Sequence, residues 1–148
     1  MIIFADSSVI GRVYLDDSDD SDRLRQAVFD GDQPVAVSQL TDVEFAHTVA
    51  LARHERRLST KRADELITQY AYDTSDDGAL AVIVIDARTF GVARELACAH
   101  PTLRSLDALQ LASCAGLMAQ VAEPVALLTR DARQRDIAKR AGIALSSI

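Results

Sequence analysis

Four carboxylates carry the chemistry this chain could perform: Asp6, Glu44, Asp107 and Asp131. Each stands where a strand or a loop gives way to a helix. Asp6 ends the run Ile2-Ile3-Phe4-Ala5, which has no polar face and reads as a strand buried on both sides in a parallel sheet. A carboxylate directly after such a strand lies at its carboxyl end, where open α/β sheets place their ligands. Read together, the four are candidate catalytic and metal-ligating residues of one site. Without a cation they would repel: two unit charges ~4 Å apart cost on the order of 4 kcal/mol at an effective dielectric near 20. Hard oxygen ligands suit Mg²⁺ or Mn²⁺, and Mg²⁺ retains several of its waters. A water made acidic by the ion could attack a phosphodiester in line, with no covalent enzyme intermediate.

Each acid also has a plainer explanation. Aspartate after a strand often caps the next helix, but Ser7 and Ser8 are equally good caps, so Asp6 is not needed for that. Thr41-x-x-Glu44 is a capping box in its letters, which would tie Glu44 to the cap backbone. Asp107 falls in a first helical turn, where the helix dipole is worth ~0.3–1 kcal/mol to an acid. Its surroundings ask for more: Ala108, Ala112 and Ala115 recur at helical spacing beside Leu109 and Leu111, so the helix must lie against the sheet. Its acidic start then faces the cleft. Asp131 reads as a helix cap, and Asp42 and Asp86 occupy similar junctions. Spacing does not say which of these six acids cluster, because strand order decides it.

The elements that must position these residues alternate between strand and helix. Val9–Leu15 reads as a short helix capped by Ser7 or Ser8, and Asp16–Asp22 as a solvated acidic loop. That loop lacks the central glycine and distal glutamate of a calcium loop. A helix over Arg23–Phe29 stops at Gly31. Pro34–Val37 is a second strand, and a helix runs from Thr41 to about Arg57 with Val43, Ala46, Val49 or Ala50, and Arg53 on one face. Ser59 caps a helix with the stripe Ala63, Leu66, Ile67, Tyr70. Leu80–Ile85 is the most β-branched run. Asp86 caps a helix over Ala87–Ala99, His100-Pro101-Thr102 breaks it, and Ser105 or Leu106 opens another that reaches Gln120. Val125–Leu128 is a strand, Ala132–Ala141 a helix ended by Gly142, and Ile143–Leu145 a short last strand. The alternation predicts a layered α/β fold with a mostly parallel sheet.

Composition sets the bounds. At 148 residues, with 49% hydrophobic and 26% charged, the chain suits one globular domain, 1–148. No apolar run approaches the ~20 residues of a membrane span, and no secretory leader precedes the first strand, so a cytoplasmic protein is expected. Cys98 and Cys114 lie in no metal or redox pattern and read as reduced, buried small hydrophobes. The net charge of −6, from 22 acidic and 16 basic residues, argues against a general nucleic-acid binder. Five aspartates crowd into positions 16–22, however, and acids at a metal site are neutralised by their ions. The basic stretches Arg53–Arg62 and Arg130–Arg140 are solvated helix faces or phosphate-steering surfaces. His47 and His54 lie ~10 Å apart along one helix, too far to share an ion, and they and His100 read as structural or surface residues. No nucleophile elbow is present, so serine-triad hydrolysis has little support, and without a Walker loop or dinucleotide fingerprint no nucleotide cofactor is expected.

The acidic motifs, in order, resemble those of PIN-domain ribonucleases, most of all the VapC toxins of bacterial toxin–antitoxin pairs. Asp6-Ser7-Ser8 looks like their opening motif, Leu40-Thr41-Asp42-Val43-Glu44 like the segment bearing their glutamate, Arg104-Ser105-Leu106-Asp107-Ala108-Leu109-Gln110-Leu111-Ala112 like their most recognisable stretch, and Leu128-Thr129-Arg130-Asp131 like their last acidic site. The resemblance implies a three-layer α/β/α sandwich with the first strand central. It also implies Mg²⁺- or Mn²⁺-dependent endoribonuclease activity with Asp6, Glu44, Asp107 and Asp131 converging on the metal. By the same resemblance Ser8 and Thr129 are supporting hydroxyls, and Asp42 and Asp86 drop out. The implied partners are RNA, a small VapB-like antitoxin lying across the groove, and a second copy of the chain. Two rival readings stand beside it. One is a phosphoryl-transfer enzyme with Asp6 as nucleophile, although position 8 is serine where aspartate-dependent phosphatases carry a second aspartate. The other is a non-catalytic α/β binding module whose acids only cap helices.

Overall fold

The computed structural model describes residues 1–148. Four parallel strands, β1 (Ile2–Ala5), β2 (Val35–Ser38), β3 (Leu80–Ile83) and β4 (Val125–Leu128), lie in the order β3-β2-β1-β4. β1 is therefore central and pairs with β4, 123 residues away in sequence, along its whole length from Ile2↔Val125 to Ala5↔Leu128. β1, β2 and β4 are short, apolar and nearly all buried, as expected when both faces are covered, whereas the edge strand β3 is buried only at Leu80.

Alternation along the strands divides the core into two layers. Ile3, Ala5, Val35 and Val37 pack with α1 (Ser7–Leu15), α2 (Ser21–Arg25), α3 (Leu40–His54) and α4 (Thr60–Asp73). Phe4, Ala36, Val125 and Leu127 pack on the opposite face with α5 (Ala87–Ala99), α6 (Ser105–Gln120) and α7 (Ala132–Arg140). The result is the expected three-layer α/β/α sandwich. No helix is long and apolar enough to cross a membrane.

Several local expectations need correction. The cap of α1 is Asp6, not Ser7 or Ser8: its carboxylate accepts from the Val9 N–H at 3.2 Å, and helix begins at Ser7. α3 starts a residue before Thr41, which is buried inside the helix, so Thr41 and Glu44 form no capping box. The buried face of α3 is Thr41, Phe45, Val49 and Ala52, while Val43 is 66% exposed. Ile67 stands partly exposed, apart from Ala63, Leu66 and Tyr70. α2 begins earlier than expected, at Ser21, and passes into a π-helical turn over Gln26–Asp30. β3 ends at Ile83. The expected final strand is a single parallel bridge, Leu127↔Leu145. Cys114 is buried, but Cys98 is exposed.

Candidate active site

The strand order brings the amino ends of three helices to one place. β1 and β4 are neighbours, and the chain leaves them in turn into α1 and α7, while α6 packs on the same end of the sheet. Each helix opens with an acid: Asp6 caps α1, Asp131 caps α7 and Asp107 is the third residue of α6. Unpaired N–H groups and the positive ends of the helix dipoles thus face the carboxylates. For Asp6 and Asp131, capping and lining a site are the same placement.

Asp6, Glu44, Asp107 and Asp131 all line one open cleft of about 500 Å³. Asp6 is 2% exposed and fully engaged. The Ser8 hydroxyl donates to its Oδ1 at 2.6 Å and the Thr129 hydroxyl to its Oδ2 at 2.6 Å, beside the Val9 N–H. Burial nevertheless pushes its carboxyl up to about 6, outweighing these hydrogen bonds, and repulsion from Glu44 adds to the effect. Asp131 accepts from the Gln134 N–H at 2.8 Å and donates its own N–H to the Thr129 hydroxyl at 3.1 Å. Thr129 therefore joins two of the acids.

Glu44 is held from across the cleft. Gln110 on α6, 1% exposed, donates through Nε2 to Glu44 Oε2 at 2.6 Å and to the Thr41 hydroxyl at 3.1 Å. Asp107 has no such partner: its Oδ2 is buried without a hydrogen bond. Its carboxyl is raised by burial first and then by Asp131, with Glu44 adding and Arg104 and Arg133 opposing. A buried carboxylate oxygen without a hydrogen bond, set among repelling acids, is stabilised by a cation partner. The donor set is entirely oxygen and so fits Mg²⁺ or Mn²⁺. No three acidic, histidine or cysteine side chains form a ready-made cage around a point, however, so an ion would have to draw the acids in or share them through water.

The remaining acids lie elsewhere. Asp42 is on the exposed side of α3, outside the cleft. Asp86 forms a capping box with Thr89, accepting from its N–H at 2.8 Å. His47, read from sequence as structural or surface, lines the cleft with Arg104, as do the apolar Leu40, Val43 and Leu106. Of the basic stretches, the first is spent partly on surface pairs such as Arg57–Asp17 at 2.9 Å. A separate hollow of about 400 Å³ shares no residue with this cleft, and its Tyr14 hydroxyl already donates to Asp73 at 2.5 Å. Gln110 and Arg104 are the site residues sequence reasoning passed over. A glutamine buried in an apolar helix was the available signal for Gln110.

A parallel α/β/α sandwich with an acidic cleft at the carboxyl end of its central strand belongs to the class of α/β folds that bind their ligands at that end of the sheet. The PIN-domain family model matches residues 3–140, and the chain belongs to that family. In fold it is similar to VapC20 of Mycobacterium tuberculosis, whose crystal structure is described as that of a sarcin–ricin loop cleaving toxin. The TM-score is 0.66 and the identity 18%, over 97% of this chain and 98% of that one. No curated protein matches it in sequence.

Proposed function

We propose that this protein is a divalent-metal-dependent endoribonuclease and the toxin of a VapBC-type toxin–antitoxin pair, acting in the cytoplasm. The observation that carries the reading is the shared cleft: acids from positions 6, 44, 107 and 131 line it, and one of them, Asp107, keeps a buried oxygen with no partner. Asp6, Glu44, Asp107 and Asp131 would hold Mg²⁺ or Mn²⁺. A bound ion supplies Lewis acidity there, lowering the pKa of water and neutralising charge on the phosphate.

The chain's own residues do the rest. Ser8 and Thr129 fix both oxygens of Asp6, and Gln110 fixes Glu44, so these two acids are oriented before any ligand arrives. Arg104 on the cleft wall offers a cation to an RNA phosphate that the acids would otherwise repel. Val43 and Leu106, which line the cleft and are 66% and 48% exposed, give bases or an antitoxin segment an apolar surface. Ser8 stands where aspartate-dependent phosphatases carry a second aspartate, and its hydroxyl is committed to Asp6, so a phosphoryl-nucleophile reading lacks its acidic partner. RNA, a VapB-like antitoxin and a second copy of the chain are the partners this reading implies.

Purified protein is expected to cleave RNA with Mn²⁺ and to stop in excess chelator. Asp107→Asn should lower the rate by more than the ~10–100-fold that loss of an outer supporting group costs, with circular dichroism unchanged. Cleavage that persists in chelator would overturn the reading.

A further inference from the structure

The acidic stretch after α1 reads from sequence as a solvated loop, and most of it behaves so. Asp16 pairs with Arg25 at 3.7 Å, and Asp17 with Arg57, both on the surface. Asp20 differs. Its Oδ2 accepts from Arg130 Nε at 2.5 Å, and its Oδ1 from Arg12 on α1 at 3.0 Å and from the Ser18 hydroxyl at 3.0 Å. The pair is sheltered: the Arg130 side chain is 14% exposed and that of Asp20 28%. Arg130 also donates to the Ile148 carbonyl at 3.2 Å.

The place of Arg130 in the chain gives this pair its meaning. It sits between Thr129, which donates to Asp6, and Asp131. Its own N–H donates to the Ser8 hydroxyl at 2.9 Å, and that hydroxyl donates to Asp6 Oδ1. The backbone of Arg130 thus belongs to the frame that holds Asp6, while its side chain is anchored outside the cleft. Charge-assisted bonds of this kind are the strong ones. The Asp20 carboxyl is held down to about 2, chiefly by the Arg130 hydrogen bond, and so stays ionised near neutral pH.

We propose that Asp20 is a positioning residue for the candidate metal site: through Arg130 it fixes the Thr129–Asp131 turn, and with it the orientation of Asp6 and Asp131. The inference rests on the metal-nuclease reading above and adds to it a control point in the loop after α1. Loss of the Asp20 charge leaves the Arg130 side chain only its bond to the Ile148 carbonyl, lets the Thr129–Asp131 segment relax and loosens the Thr129 and Ser8 hydroxyls that orient Asp6. Removing outer partners of ligands in this way typically costs 10–100-fold in metal affinity or activity.

The test uses the full chain, with Mn²⁺ affinity from calorimetry and RNA cleavage resolved into kcat and KM. Asp20→Asn is expected to bind Mn²⁺ about 10-fold more weakly and to lose kcat with little change in KM, in protein still folded by circular dichroism. Arg130→Gln should do the same, and the double variant should be no worse than either single one, because both remove one link. Asp20→Glu, which keeps the charge, should recover most of the affinity. Asp17→Asn, on the same loop but outside the link, should match wild type. A merely structural pair would lower the unfolding midpoint and leave the Mn²⁺ affinity of the folded fraction untouched. That result, or additive single variants, overturns the proposal while the nuclease reading stands. Wild-type protein that neither binds Mn²⁺ nor cleaves RNA with it overturns both.

Discussion

At the scale of single residues, Asp6 does three things at once: it ends the central strand, caps α1 and lines the cleft. Full burial sets their combined cost. Its carboxyl lies at about 6 in the folded protein against an ordinary 3.8. Below about pH 4 the group is protonated whether the chain is folded or not and adds no pH dependence. Between about pH 4 and 6 the unfolded chain has released the proton that the folded one still holds, so stability falls as pH rises. Above that window the loss levels off at about 3 kcal/mol. Urea unfolding in chelator, at steps from pH 4 to 7, should follow this decline in wild type. Asp6→Asn should follow a shallower one, with Asp107 supplying the remainder because its carboxyl is raised too. Parallel pH profiles for the two proteins would mean that Asp6 is not buried as described. Asp20 moves the opposite way: its contribution is in place above about pH 4 and is lost only as pH falls toward 2.

At the scale of elements, a buried polar line joins α6 to α3 and to the end of β2. Gln110 bonds Thr41 and Glu44, and Ser113 bonds Ser38 at 3.1 Å. Gln110→Leu keeps the bulk but leaves the Glu44 and Thr41 oxygens without their donor. It should cost about 1–3 kcal/mol in urea unfolding. A variant as stable as wild type would show that water replaces the amide without loss. This line was the hardest part of the site to read in advance. The strands were legible because short, wholly apolar runs have few alternatives, and α4, α5 and α7 because Ser59, Asp86 and Asp131 mark their starts. The packed face of α3 was not, because Thr41 and Ala52 are buried while Val43 faces solvent. Hydrophobic letters do not record which side a helix presents to a partner fixed by strand order. The α1 cap was misassigned for a related reason. Ser8 was free in sequence to cap the helix, but in the fold its hydroxyl is committed to Asp6 and to the Arg130 N–H. That β1 is central came from family resemblance alone, and its two neighbours were not legible, since nothing local in Val125–Leu128 names Ile2–Ala5 as its partner.

At the scale of the whole molecule, that pairing is what makes the site possible. Acids at 6 and 131 face one cleft only because β1 and β4 lie side by side. The unfolded chain has no such site, so cation binding should appear directly as folding stability. At a Mn²⁺ concentration 100 times the dissociation constant the gain is about 2.7 kcal/mol. At about 3 °C per kcal/mol for a chain of this size, that is a rise in Tm of about 8 °C. Asp107→Asn separates this from simple screening. Removing its charge relieves the repulsion from Asp131 and Glu44 and the burden of a buried, unpartnered oxygen. The variant should therefore melt higher than wild type in chelator and gain little from Mn²⁺. If the acids only capped helices, the same change would weaken the start of α6, lower Tm in chelator, and leave any small Mn²⁺ effect equal to that of an inert salt at matched ionic strength. The two outcomes differ in sign, so one thermal titration of wild type and Asp107→Asn decides whether the four acids act as one site or as separate helix ends.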